Sequence, residues 1–335
     1  MKNQKLNISI LILVSLIVSY FILKDDFSNI TKLISNINIG WLIFSIGLVA
    51  IYWMFQTLCL QAVSDSTEEK LPFRTLFRST IICNFFSAIT PSATGGQPFQ
   101  IYFLKKKGLK LGTATNLVVE QSTLYQIALV LFGLIAIILN YFFDFFPADS
   151  LIKNLVILGF LVNLIVILVL GFITFGKKSN KYLILKFIKF LHKIKIIRHL
   201  DKTLEKVERT IDTFYVSAQA LNSNKGALIK GIIYNFIALS FLYIVPLTVA
   251  YSLGNYSDLN ILTTLVASAY VMLIGAFVPI PGGSGGIEYA FVIFFGFYIA
   301  GPTLMAMLLI WRFVTYYLSI LVGGLVLILD RDGGK

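Results

Sequence analysis

Long stretches without Asp, Glu, Lys or Arg recur along the chain, and most are long enough for a membrane-spanning helix, which needs about 20 apolar residues. Charged residues interrupt these stretches only singly or at their edges. The stretches are Leu6–Leu23, Trp41–Val63, Gly112–Asn140, Ile152–Gly176, Gly231–Leu253 and Thr303–Leu329. The pattern predicts an all-α polytopic membrane protein that forms a single integral membrane domain over residues 1–335.

Two further uncharged runs are broken near their centres. Ser79–Leu104 contains Pro91 and the Gly95-Gly96 pair, which leave two arms that are each too short to cross a bilayer. Leu259–Ala300 contains 42 residues with one charge, and a Pro- and Gly-rich segment interrupts it. Because Pro and Gly interrupt helices, each run is predicted to be a broken, re-entrant helix hairpin.

The two breaks share a motif and a context, which predicts an internal repeat. Pro91–Gly96 and Pro281–Gly286 both read P-x-x-[S/T]-G-G, 190 positions apart, and each hairpin has one uncharged span before it and one after it. Repeat one is expected at about residues 40–140 and repeat two at about 228–329. A basic insertion at 177–227 separates them.

The distribution of Lys and Arg predicts the orientation in the membrane. If the N-terminus is cytoplasmic, 24 of the 28 Lys and Arg residues fall in cytoplasmic segments, as the positive-inside rule requires. The C-terminus is then cytoplasmic too, and the protein is expected to be a multi-pass protein of the cytoplasmic membrane. The two hairpins enter from opposite sides, so the repeats are predicted to be inverted, as in many transporters.

Composition supports this class. Hydrophobic residues make up 57% of the chain and charged residues 13%, whereas soluble domains carry about 25% charged residues. Cys59, Cys83, His192 and His199 have no metal-site spacing, so we expect neither a metal site nor a cofactor.

The formal charge of +12 is concentrated in the basic insertion, where a helical stripe predicts an amphipathic cytoplasmic helix. The stripe consists of Leu200, Leu204, Val207, Ile211 and Phe214. The helix either packs on the bundle or lies on anionic lipid. Nucleic acid is a weaker explanation, because any polytopic protein carries this charge bias.

Charged residues within spans are expensive in hydrocarbon and are therefore candidates for function. They are Glu120, Glu288 and Arg312, of which Glu288 is expected to attract a cationic lipid head group and Arg312 a phosphate. For Glu288 and Arg312 the alternative is a buried ion pair that fixes helix register. Glu120 sits near one end of its span, and its alternative role is to reach the membrane interface.

The glycine breaks predict a site for a lipid head group or phosphate, because exposed backbone N–H groups and a helix N-terminus attract anions. The candidate residues are Pro91, Thr94, Gly95, Gly96, Gln97, Pro281, Gly282, Gly283, Ser284, Gly285 and Gly286. The alternative is a tight helical turn with close packing. Gly282–Gly286 also matches the G-x-S-x-G motif of serine hydrolases, but both histidines lie in the basic insertion, so no catalytic residue is predicted.

At these motifs the chain resembles the flippase-like family of the lysylphosphatidylglycerol synthase transmembrane region, the membrane domain of the multiple peptide resistance factors. The resemblance rests on three elements: Pro91-Ser92-Ala93-Thr94-Gly95-Gly96-Gln97-Pro98, Pro281-Gly282-Gly283-Ser284-Gly285-Gly286-Ile287-Glu288, and Arg312 in the last span. The family has an acid where this chain has Gln97, and an E-R pair where it has Glu120-Gln121. The first hairpin is therefore expected to prefer a different ligand.

The resemblance implies a lipid translocase that moves an aminoacylated phospholipid, such as lysyl-phosphatidylglycerol, or a polyprenyl-phosphate-linked lipid. The alternative is phosphatidylglycerol lysyltransferase or its membrane subunit, which would bind tRNA; the aminoacyl-transferase domain of the full-length synthases is not expected in a chain that stops at Lys335. A third hypothesis is a scaffold that recruits a soluble lipid-modifying enzyme through the basic insertion.

Overall fold

The computed structural model describes residues 32–90, 95–146, 150–193, 200–256, 259–275, 283 and 285–332. Within these ranges the regular elements are helices, and five candidate membrane spans are long and apolar enough to cross a bilayer. The helices are α1 (Ile39–Ser64), α2 (Phe73–Ile89), α3 (Gly96–Lys106), α4 (Leu111–Phe143), α5 (Ser150–Phe175), α6 (Lys177–Lys193), α7 (Leu200–Ser223), α8 (Lys225–Ser252), α9 (Ile261–Gly275), α10 (Gly286–Phe295), α11 (Gly301–Arg312) and α12 (Leu318–Asp332). The predicted all-α polytopic membrane fold is confirmed.

The predicted spans correspond to α1, α4, α5, α8 and a last span in which α11 continues into α12. A short π-helical segment, Phe313–Tyr317, joins these two helices immediately after Arg312. The predicted first span, Leu6–Leu23, lies outside the described residues.

Both broken runs form pairs of short helices, as the sequence predicts. In the first run α2 packs on α3, and in the second α9 packs on α10. Residues 91–94, 276–282 and 284 at the breaks lie outside the described residues. Gly95 directly precedes α3, which begins at Gly96, and Gly285 directly precedes α10, which begins at Gly286.

The long helices α1 and α8 lie side by side in opposite directions at the centre of the bundle. The backbone N–H of Asn38, before α1, donates to the carbonyl of Ser252 at the end of α8 (2.8 Å). Further along, the hydroxyls of Ser45 and Thr248 lie 2.7 Å apart, and near the other end of α1 Asn235 Nδ2 donates to Cys59 Sγ (3.0 Å). These polar contacts fix the register of the two helices.

Helices at equivalent positions in the two proposed repeats make equivalent contacts. The first arm of each hairpin packs against the last span of the other half, so that α2 contacts α12 and α9 contacts α4. The antiparallel course of α1 and α8 agrees with an inverted relation. The inverted repeat itself stays a prediction.

The amphipathic stripe of the basic insertion is packed on the bundle. Ile211 and Phe214 of α7 are buried in a cluster that includes Val207 on the same helix and Val119 on α4. The preceding helix, α6, leaves apolar side chains such as Tyr182 and Phe187 exposed, and its sequence places lysines among them. The stripe on α7 therefore takes the first of the two roles considered for it, packing on the bundle.

Ion pairs hold the ends of several helices together on one side of the bundle. Asp330 on α12 lies 2.7 Å from Lys107 Nζ, after α3, and 3.7 Å from Arg78 Nη1 on α2. In the loop after α1, Glu69 accepts from the backbone N–H of Lys110 (2.9 Å) and pairs with its ammonium. Partial burial alone would raise the pKa of the Glu69 carboxyl, but these bonds hold that pKa below its usual value.

Close packing of α5 on α9 depends on Gly159. A Cβ atom at this position would lie 2.5 Å from the carbonyl oxygen of Leu273, whereas a Cβ at Gly171 on the same helix meets nothing within 4 Å. Backbone atoms of α9 cannot yield as a flexible side chain does.

We therefore expect Gly159→Val to destabilise the protein by about 1–3 kcal/mol, and Gly171→Val to have a much smaller effect. Both substitutions introduce the same β-branched side chain into α5, so the difference isolates packing from helix propensity. Unfolding of the purified variants in detergent, followed by Trp fluorescence, measures the effect. Equal loss in both variants would contradict this account of the α5–α9 contact.

Candidate functional site

The predicted pair of intramembrane charges is a buried ion pair. Arg312 Nη2 lies 2.6 Å from Glu288 Oε1, and the two side chains are about 10% exposed. Glu288 lies in the first turn of α10 and Arg312 at the end of α11. The interpretation of these residues as partners is confirmed.

Glu288 also accepts a hydrogen bond from the backbone at the second glycine break. Its Oε2 accepts a hydrogen bond from the backbone N–H of Gly285 (2.6 Å), just before α10. Gly285 has φ 88° and Gly283 has φ 64°, a region that side chains other than glycine rarely adopt. The carboxylate therefore satisfies the end of a helix and a guanidinium at once.

Arg312 connects the second break to the first. Its guanidinium carbon lies 4.6 Å from the centroid of the Tyr316 ring, a cation–π distance. The Tyr316 hydroxyl donates to the carbonyl oxygen of Ala88 (3.0 Å), near the end of α2. A continuous set of contacts thus runs from Glu288 to the first arm of the first hairpin.

At the first break, small side chains of α2 and the residue after it bond to and pack against the start of α3. The Gly95 N–H donates to Thr90 Oγ1 (2.8 Å). A Cβ on Gly96 would lie 2.0 Å from Ser87 Oγ and 2.7 Å from the Cys83 carbonyl, so only glycine lets α3 approach α2 this closely. The described N–H groups of Gly95 and Gly285 therefore already have acceptors within the protein.

A small cavity of about 210 Å³ lies beside Arg312. It is bounded by α1, α2, α8, α9, α10 and the last span. Its lining comprises Tyr52, Trp53, Asn84, Ser87, Ala88, Leu242, Tyr243, Ser268, Met272, Ile287, Trp311, Arg312, Thr315, Tyr316 and Ser319. Glu288 is not part of this lining; it contacts the Arg312 guanidinium but not the cavity.

A larger cavity of about 510 Å³ adjoins the small one, and Tyr52, Asn84 and Ser87 line both. Its remaining lining comprises Gln56, Thr80, Cys83, Gln97, Gln100, Ile101, Val118, Val119, Gln121, Ser122, Tyr125, Gln126, Val166, Leu170 and Asn235. Amides and hydroxyls dominate this lining, although the surrounding helices are apolar.

Hydrogen bonds order the amides of the larger cavity. Gln56 Nε2 donates to the Tyr52 hydroxyl (2.7 Å), and Gln56 Oε1 accepts from Asn84 Nδ2 (3.1 Å). Gln100 Nε2 donates to Gln121 Oε1 (3.1 Å), which joins α3 to α4. The polar lining is therefore a fixed network that connects α1, α2, α3 and α4.

The structure brings only some of the predicted site residues to a cavity. Gln97 and Arg312 line the larger and the smaller cavity respectively, whereas the described glycines of both breaks and Glu288 line neither. Glu120 is buried on α4, accepts a bond from Asn116 Nδ2 (3.4 Å), and also lines neither cavity. The predicted residues Pro91, Thr94, Pro281, Gly282 and Ser284 lie outside the described residues.

The sequence analysis missed most of the amide network. Its signal was present as polar residues four positions apart within apolar spans, such as Tyr52 and Gln56, or Gln121 and Tyr125. An uncharged amide in a span is a weaker sign of function than a charge, because burying it in a membrane costs less free energy.

Among the described residues, no group of three or more His, Cys, Asp or Glu is placed to hold a metal ion.

Comparison with known proteins identifies relatives of the whole chain. The family model for the lysylphosphatidylglycerol synthase TM region matches residues 8–323. A UPF0104 membrane protein of Archaeoglobus fulgidus is 23% identical over 324 residues, which cover 94% of each chain. These matches point to a membrane protein linked to lipid modification or transport.

Two shorter matches are to mycoplasma proteins. The uncharacterized protein MG306 of Mycoplasma genitalium is 28% identical over 130 residues, and its homologue in Mycoplasma pneumoniae is 26% identical over 133 residues. These alignments cover 35% and 36% of this chain and 31% of each relative.

The ion pair generates a prediction on stability. Because each single neutralisation leaves one buried charge without its main partner, Glu288→Gln and Arg312→Gln should each destabilise the protein by about 3–5 kcal/mol. The double variant Glu288→Gln/Arg312→Gln should lose less than the sum of the two. Detergent unfolding of all four proteins completes the double-mutant cycle. Strictly additive losses would show that the two side chains are not energetically coupled.

Proposed function

Because this chain belongs to the family of the lysylphosphatidylglycerol synthase transmembrane region, we propose that it is a lipid translocase, which carries lipid head groups across the bilayer. The observation that carries the proposal is the pair of adjoining cavities inside an apolar helical bundle, whose linings contain many amide and hydroxyl side chains. A lipid head group crossing the hydrocarbon core needs such an environment, while its acyl chains can remain in the bilayer.

The two cavities offer different chemistry to the two parts of a head group. Arg312 is the charged side chain of the small cavity, and a guanidinium binds phosphate through several N–H donors. The larger cavity offers amides and hydroxyls for the rest of the head group. In this proposal Glu288 holds Arg312 in position, and contact of Glu288 with a cationic head group is the less favoured role.

The candidates for cargo are an aminoacylated phospholipid such as lysyl-phosphatidylglycerol and a polyprenyl-phosphate-linked lipid. Both have a phosphate for Arg312 to contact. In this proposal the glycine breaks have a different role from the predicted one, in which they bind the phosphate. Gly95 and Gly285 shape the helix ends, and the polar side chains between the hairpins contact the lipid.

The cytoplasmic membrane is the proposed location, with both termini in the cytoplasm. The support is the concentration of Lys and Arg in the segments that this orientation places inside. A soluble lipid-modifying enzyme that binds the basic insertion is a proposed partner.

Translocation is tested with purified protein in vesicles that carry a trace of head-group-labelled phosphatidylglycerol or lysyl-phosphatidylglycerol. A membrane-impermeant quencher added outside reports how fast inner-leaflet label becomes accessible. The wild-type protein should equilibrate at least one labelled lipid much faster than protein-free vesicles do.

Ser87→Leu supplies a variant that blocks the route. Ser87 lines both cavities, so a larger apolar side chain at this position should slow translocation about tenfold or more, which corresponds to about 1.4 kcal/mol in the barrier. Ser223→Leu places the same substitution on an exposed surface of α7 and should leave the rate unchanged. Gel filtration and unfolding midpoints establish that both variants are folded. If wild-type protein gives no increase over empty vesicles with either lipid, nor with a labelled polyprenyl-phosphate-linked lipid in the same assay, the translocase proposal is wrong.

A further inference from the structure

The lining of the larger cavity is rich in hydrogen-bonding groups and has no formal charge. Seven side-chain amides and five hydroxyls contribute to it, and none of its described lining residues is Asp, Glu, Lys or Arg. This combination is unusual for a site that must bind a cation, because a cation in a low-dielectric cavity needs a carboxylate partner.

The two intramembrane carboxylates predicted as site residues, Glu288 and Glu120, have other partners. Glu288 is paired with Arg312 and with the Gly285 N–H, and it lines neither cavity. Glu120 neighbours lining residues in sequence, but its side chain accepts from Asn116 and does not line the cavity. A lysyl head group would therefore bring ammonium charges into a lining that has no counter-ion for them.

Asn235 supplies a second and independent observation. It is 1% exposed and lines the larger cavity, and its Nδ2 donates to Cys59 Sγ and the Gly231 carbonyl. Its Oδ1 is buried and has no hydrogen-bond partner among the described residues. An unsatisfied buried acceptor costs about 1–3 kcal/mol, and a ligand hydroxyl would remove that cost if the Asn235 side chain turned its Oδ1 toward the cavity.

We infer that the larger cavity binds an uncharged, polyhydroxylated part of a lipid head group, such as a sugar or a glycerol. Amides suit this chemistry because each carries two donors and an acceptor, and a hydroxyl needs both kinds of partner. Tyr52 and Tyr125 add aromatic surface for the C–H faces of such a group. The size of about 510 Å³ is within the usual range for small-molecule sites. This inference rests on the proposed function and narrows its cargo.

Binding is measured separately from transport, so that the two can fail independently. The protein is purified in a polyoxyethylene detergent, because sugar-based detergents would compete for the site. Four dioctanoyl probes are titrated while the unfolding midpoint is followed: glucosyl diacylglycerol, phosphatidylglycerol, lysyl-phosphatidylglycerol and diacylglycerol without a head group. The glucosyl lipid, phosphatidylglycerol or both should raise the midpoint at lower concentration than the other two probes. Their comparison distinguishes a sugar from a glycerol as the source of the hydroxyls.

Asn235→Leu and Gln100→Leu separate binding from structure. Each should weaken binding of the preferred probe about fivefold or more, the equivalent of one lost hydrogen bond. Asn235→Leu also removes the hydrogen bond to Cys59, so its unliganded midpoint should fall somewhat; a ligand contact is shown by the additional loss of probe binding, whereas a purely structural role would lower the midpoint and leave binding unchanged. Gln219→Leu, an exposed position on α7, serves as the matched control and should bind as the wild type does.

Lysyl-phosphatidylglycerol binding as tightly as the better of glucosyl diacylglycerol and phosphatidylglycerol would overturn this inference. Equal binding by wild type and both amide variants would also overturn it. Neither result would bear on translocation, which the vesicle assay measures. Selective binding of a polyhydroxylated probe without transport would instead retain the binding site and reject the translocase proposal.

Discussion

The Glu288–Arg312 ion pair is the interaction on which the arrangement of the two glycine breaks depends. Two unpaired charges at this depth in an apolar bundle would each cost several kcal/mol, and their pairing at 2.6 Å offsets much of that cost. Glu288 also caps the start of α10, and Arg312 lies over Tyr316, which bonds to α2. One charged pair therefore fixes α10, the last span and the first hairpin relative to one another.

The Glu288–Arg312 pair also accounts for the backbone geometry beside each of its two residues. α10 directly follows Gly285, which has a positive φ, and the Glu288 carboxylate reaches back to the Gly285 N–H. The π-helical segment begins at the residue after Arg312 and contains Tyr316. Such segments are rare and often occur at functional sites, since they change the direction of side chains within a continuous helix. Here the segment carries the aromatic ring that the guanidinium contacts and the hydroxyl that bonds to Ala88.

Much of the fold follows from the sequence because membrane burial imposes simple constraints. Long uncharged runs predicted the spans later seen as α1, α4, α5 and α8 within a few residues, and the Pro–Gly segments predicted both pairs of short helices. The charges Glu288 and Arg312 were recognisable because a charge within such a run has few ways to be tolerated. Their distance, however, depends on how α10 and α11 pack, which no local pattern encodes.

The polar cavity was harder to predict for a physical reason. Gln56, Gln121 and Asn235 lie on three different helices, and each by itself resembles an isolated polar residue in a span. Only the packing of α1, α4 and α8 places them around one space. The glycine N–H groups illustrate the opposite case. The motif identified Gly283 and Gly285 as positions with positive φ, whereas Gly95 has an ordinary helical conformation. Thr90 and Glu288 supply acceptors for the N–H groups of Gly95 and Gly285 from within the chain.

One charged pair and many neutral amides differ in how readily they release a bound head group. A charge binds strongly but must be neutralised whenever the ligand leaves, which favours a permanent internal partner such as Glu288 for Arg312. Amides exchange hydrogen bonds with one another, with water or with a ligand at a smaller cost, since the net gain per bond is about 1 kcal/mol. A cavity that binds a head group and then releases it is therefore better built from residues such as Gln100 and Asn235 than from a second set of ion pairs.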